Sequence, residues 1–71
     1  MLDVGQQVWI VAARRSPPPC GIRATYDGFR RGDFVMVTDE SGKKHSVWES
    51  NVFPTRAALI AAHPGLEVQP E

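Results

Sequence analysis

A single cysteine, Cys20, in a chain of 71 residues excludes an internal disulfide. The two histidines, His45 and His63, lie far from Cys20 and from each other, so no Cys/His set has the spacing of a zinc site. Charge of either sign is not in excess: eight Lys and Arg face eight Asp and Glu. Counterion release on nucleic acid rewards a clear positive balance, which disfavours wholesale electrostatic binding. No Gly-rich phosphate loop is present. The first five residues have neither a basic nor an apolar targeting region, and no apolar run approaches the length of a membrane span. A lone thiol without an export signal points to the reducing cytoplasm. A chain opening at Met1 is expected to be a complete small gene product. No cofactor, metal, membrane or small-molecule substrate is implied.

What is present suffices for one folded domain. With 42% hydrophobic and 23% charged residues the chain is too apolar to stay disordered. The domain is expected to occupy residues 1–71, with its ordered core at about 5–63 and a tail at 64–71. At this size folding buries only about 60% of the surface exposed by the unfolded chain, and small domains lean on disulfides, metals or partner subunits. With the first two excluded, a compact β core, docking or self-association must serve, and a homodimer is expected.

Residues 1–53 read as short β-rich runs separated by turns. Gln7–Ala12 is a first strand, with Val8, Ile10 and Ala12 on one face and Gln7, Trp9 and Val11 on the other. Its two apolar faces require a central place in a sheet, or a partner. Residues 13–21, with three successive prolines, predict an extended tether. Residues 22–26 alternate, Ile22, Ala24 and Tyr26 inward, Arg23 and Thr25 outward. Asp27-Gly28 marks a bulge or a turn, and Arg31-Gly32 a second turn. Residues 34–38 form a nearly continuous apolar strand. A polar hairpin at 39–44 leads to a last strand at 45–48, and Glu49-Ser50-Asn51 turns into Val52-Phe53.

At Pro54 the period changes. Thr55 is placed to cap an alanine-rich helix over Arg56–Ala62, which His63-Pro64-Gly65 ends. Two turns of such a helix are marginal alone in water, so Leu59 and Ile60 are expected to pack on the strands with Phe53 beside them. The tail is left without structure.

Four to five short antiparallel strands, a long first loop, a hairpin and a short C-terminal helix make a mainly β chain on the plan of an SH3-like small barrel. Val52-Phe53-Pro54-Thr55-Arg56 followed by alanines resembles the strand-to-helix end of small SH3-like barrels from bacteria, plasmids and phages. The resemblance spans about 5–62 by architecture and 52–58 by motif. It implies a fold and a prokaryotic or phage origin, and no activity. The tetrameric plasmid-borne dihydrofolate reductases share the barrel, but their pore-lining Gln-Ile-Tyr run is missing here.

An enzyme is not expected. Cys20 sits in Pro-Pro-Cys-Gly with no neighbouring cation to activate it and reads as a small loop-closing residue. Asp39 and Glu40 are adjacent in a solvated turn, whereas acid–base carboxylates face each other across a cleft. His63, at the helix end, suits the dipole there. Two binding readings stand. In the first, a protein partner or a second copy is held by an aromatic and arginine surface around Trp9, Tyr26, Phe29 and Trp48, with Phe34 and Phe53 assigned to the core. In the alternative, Arg30, Arg31, Lys43 and Lys44 form a positive rim on loop tips beside the same aromatics and hold nucleic acid. Interleaved acids (Asp27, Asp33, Asp39 and Glu40) weaken that rim. The triple proline is a further candidate ligand for a proline-binding groove, or simply a rigid loop.

Overall fold

The computed structural model describes residues 2–12 and 19–71. Residues 13–18 of the expected tether, with Arg14, Arg15 and the first two prolines of the proline ligand, therefore fall outside the described residues; Cys20 and Gly21, expected in that loop, instead begin a strand paired with residues 11 and 12. Among those described, the chain is mainly β: β1 (Gln7–Ala12), β2 (Cys20–Arg31), β3 (Phe34–Asp39), β4 (Lys44–Trp48), a 3-10 turn (Glu49–Asn51), β5 (Val52–Phe53), α1 (Arg56–Ala62) and β6 (Glu67–Val68). The strands form one sheet in the order β4-β3-β2-β1-β5, antiparallel along this path. β4 and β5, at its two ends, are not paired with each other.

β2 organises the sheet. Its first half pairs with β1, from Cys20↔Ala12 to Thr25↔Gln7, and its second half with β3, from Ala24↔Asp39 to Arg31↔Phe34. Between Tyr26↔Val37 and Arg30↔Val35 the register shifts by two residues, so Asp27-Gly28 is a bulge within one long strand and not a turn between two. Gly28 has φ +91, and a Cβ there would lie 2.7 Å from Val4 Cγ2, so glycine is required both by backbone and by space.

Alternation places the core. Val8, Ile10, Ala24, Tyr26, Val35 and Val37 form one buried cluster, flanked by Leu2, Ile22, Val47 and Val52. β1 is buried on both faces: Val8 and Ile10 face the main cluster, and the Trp9 face is covered by α1 and by Arg23 over the ring. α1 starts where Thr55 Oγ1 accepts from Ala58 N at 3.1 Å, and it buries Leu59 completely. Ile60, expected to pack beside Leu59, is instead 39% exposed, since the next helical position turns away from the strands. The tail also differs from expectation. β6 runs parallel to β2 at Cys20↔Glu67 and Gly21↔Val68, prolonging the edge that β3 occupies further along, and Arg56 Nε donates to Gln69 O at 2.9 Å.

Candidate functional site

On β3 the inward Val35 and Val37 leave Phe34, Met36 and Thr38 on the opposite face. Register on β4 sets Trp48 across from Phe34, Ser46 across from Met36 and Lys44 across from Thr38. The bulge in β2 adds two residues and so keeps the alternation, leaving Phe29 and Arg31 on this same outer face. One end of the face is consequently apolar and the other polar. At the apolar end the Phe34 and Trp48 rings lie 4.3 Å apart between centroids. Phe29, Arg31, Phe34, Met36 and Ser46 line a shallow cleft of ≈ 290 Å³. Phe29 is 59% exposed, Trp48 49% and Phe34 40%, so three large rings meet solvent together.

Of the four aromatics expected at a contact surface, Phe29 and Trp48 are on this face. Trp9 and Tyr26 are not available to a partner: both are buried, Trp9 on the doubly paired β1 with Arg23 over its ring at 5.9 Å, Tyr26 within the core cluster. Phe34 moves the other way, from expected core to exposed ring. The run Phe34-Val35-Met36-Val37 is apolar at every position and hides its own alternation; the pairing with Trp48 reveals which residues face out.

The cations of the alternative reading separate into two kinds. Arg30 grips Glu49 through both terminal nitrogens, with Nη1 2.9 Å from Oε1. This pairing raises the Arg30 pKa and lowers that of Glu49. Lys44 Nζ lies 3.2 Å from Asp27 Oδ2, whose other oxygen accepts from Thr38 Oγ1 at 2.7 Å. The Thr38 bond and then Lys44 hold Asp27 below the usual carboxylate range. Arg23 is likewise matched, Nε to Glu40 Oε1 at 2.7 Å. Arg31 and Lys43 have no side-chain partner among the described residues.

Asp39, Ser41 and His45 have the residue types of a nucleophilic triad but not its geometry. Asp39 Oδ2 meets His45 Nε2 at 2.7 Å, while its Oδ1 accepts from Ser41 Oγ at 2.6 Å and from the backbone N–H of Ser41 and Lys43. Serine and histidine both spend their bonds on one carboxylate, so no base addresses the hydroxyl. His45 and then Ser41 depress the Asp39 pKa strongly, and the constellation closes the hairpin. Beside it lies a cleft of ≈ 440 Å³, bordered by Cys20, Asp39, Glu40 and the β6 tail. Glu40 on its rim is committed to Arg23 and accepts from Gln69 Nε2 at 3.4 Å. Among the described residues no group of three or more His, Cys, Asp and Glu is placed to hold a metal, and no helix is long and apolar enough to cross a membrane. Comparison with known protein families, curated proteins and solved structures finds no match for this chain.

Proposed function

We propose that the chain is a non-catalytic binding module on the SH3-like plan, and that its contact surface for a protein is the outer face of β2, β3 and β4 around Phe29, Phe34 and Trp48. The observation that carries this reading is the joint exposure of those three rings on one side of a sheet whose other side is the core. Contiguous exposed aromatic surface edged by arginine is the composition of protein interfaces. The barrel plan is supported by the meander β1 to β4, the bulged β2 shared between two halves of the sheet, and the 3-10 turn leading into β5 beside β1. A non-catalytic role is supported by the Asp39 hub, where each polar group is already engaged in holding the hairpin.

Nucleic acid is the second reading, favoured by the same rings as stacking platforms with Arg31 beside them. Its electrostatic half is weak, because Glu49 and Asp27 already neutralise Arg30 and Lys44. Two parallel assays separate the readings. Affinity capture of protein from an extract at high salt is expected with the wild-type chain and is lost with Trp48→Ser. A ¹H–¹⁵N titration with a short single strand at low salt is expected to leave Phe29, Arg31 and Trp48 unshifted. Salt-sensitive shifts at those residues, with capture indifferent to Trp48→Ser, would overturn the protein-binding reading.

A further inference from the structure

We infer that the aromatic face closes on a second copy of this chain, as an isologous dimer in which Arg31 of each copy meets Asp33 of the other across the Phe29–Phe34–Trp48 patch. The inference rests on the reading of that face as a protein-contact surface and names its occupant.

Charge complementarity selects the occupant. A two-fold contact requires a patch that complements itself, with both signs of charge at its border, each able to meet its opposite after rotation. Arg31 and Asp33 stand on either side of Gly32, Asp33 directly before Phe34, and both are exposed; Arg31 also lines the cleft with Phe29 and Phe34. Neither has a side-chain partner among the described residues, whereas the neighbouring Arg30 and Lys44 are matched within the chain by Glu49 and Asp27. The uncommitted border charges are therefore one cation and one anion beside one apolar centre. A polyanion would meet Asp33 as repulsion, and an acidic or basic peptide would satisfy one of the two charges and oppose the other. A second copy satisfies both, twice. The formal net charge of zero adds no long-range repulsion between copies.

Area sets the strength. At the usual size of aromatic side chains, the exposed fractions of Phe29, Phe34 and Trp48 amount to roughly 300 Å² per copy. With Met36, Ser46, Arg31 and Asp33 around them, two copies bury on the order of 1,000 Å², the lower end of specific interfaces. An interface of that size belongs with the weak, reversible contacts. The size of the domain gives such a contact a purpose. Among the described residues the largest fully buried side chains are Ile10, Leu59, Val8, Val35 and Val37, and a chain of this length with no internal disulfide gains stability from a partner subunit.

Charge reversal at the exposed border tests the inference while sparing the core. Sedimentation velocity across a concentration series is expected to show wild-type monomer passing to dimer. Arg31→Asp and Asp33→Arg, each alone, are expected to weaken the dimer by about tenfold or more. An equimolar mixture of the two variants is expected to regain dimer, because Asp at position 31 of one variant then faces Arg at position 33 of the other, while the second contact keeps the native Arg31–Asp33 pair. Dispersed ¹H–¹⁵N spectra identify folded variants. Concentration-dependent shifts of the wild-type Trp48 indole and Phe29 amide give a second readout that needs no substitution. A wild type that stays monomeric to about 1 mM overturns the dimer. So does a dimer that ignores both reversals and their mixture. If that monomer still captures protein at high salt and loses it with Trp48→Ser, the dimer fails and the binding-module reading stands; if capture is also indifferent to Trp48→Ser, both fail.

Discussion

Gly21 shows how one missing methyl group sets the position of two elements. It is buried in β2, where a Cβ would come within 2.5 Å of Leu59 Cδ2 and 3.0 Å of Val68 Cγ2. Helix and tail thus both close over this position. Leu59 is fully buried and cannot swing aside freely. Gly21→Ala is therefore expected to destabilise the fold by about 1–3 kcal/mol, read as a lower denaturation midpoint at unchanged denaturant slope. At Asp39 the economy is of another kind. One carboxylate accepts two backbone N–H groups and a hydroxyl while it pairs with His45, and it does so in a turn that composition alone marks as merely polar. The sequence placed Asp39 at the start of the hairpin loop, although it ends β3. It did not show its link to His45, six positions away, because that contact depends on the β3–β4 register.

At the level of elements, the helix carries the clearest agreement between residues and structure. Thr55 caps it and Arg56–Ala62 bounds it, as local chemistry dictates. Its stability comes from packing, since seven residues do not hold a helix in water. Leu59→Ala is expected to cost about 2–5 kcal/mol, against about 1 kcal/mol for Thr55→Ala, in parallel chemical denaturation. A smaller loss from Leu59→Ala than from Thr55→Ala would show that the helix docks more loosely than its buried leucine indicates. The strands were legible wherever polar and apolar residues alternate, as in residues 22–26. They were less so in two places. β2 continues through Asp27-Gly28 because a bulge lets paired strands absorb two extra residues, a choice that local propensity does not decide. β6 exists because β3 leaves the start of the β2 edge open and the tail is long enough to reach it.

For the molecule as a whole, the paired carboxylates predict how the fold responds to acid. Asp27, Asp39 and Glu49 all have depressed pKa values in the folded chain, through Thr38, His45 and Arg30 respectively. A depressed folded value means that the unfolded chain binds protons first. The stability these groups contribute is complete above their unfolded range near pH 4 and is lost as pH falls below it. Thermal melts are expected to be flat from about pH 7 to pH 5 and to fall steeply below about pH 4, with a shallower fall in Asp39→Asn. An acid limb as steep in that variant as in the wild type would remove Asp39 from this account.

Composition and local pattern were enough to establish a small mainly β chain without an internal disulfide, its principal strands along the chain, and the capped helix that follows them. These follow from short-range physics: alternation with a period of two, turn residues, a cap, and a proline that ends a strand. Which aromatics meet solvent was a tertiary decision. Alternation in residues 22–26 already turned Tyr26 inward, but Trp9, Phe29, Phe34 and Trp48 look alike along the chain, and the folded sheet sorts them. α1 and Arg23 cover the Trp9 face of β1, which takes that ring out of solvent; Tyr26 points to the core side of β2; alternation from Tyr26 leaves Phe29 outward, since the bulge adds two residues and keeps the parity; and register brings Phe34 against Trp48. The same holds for charge, since eight cations and eight anions leave the partners open until the fold sets Arg30 on Glu49 and Lys44 on Asp27 and leaves Arg31 without one among the described residues. Side-chain period is a property of the strand, but burial and pairing are properties of what lies beside it, and only the folded sheet supplies that neighbour.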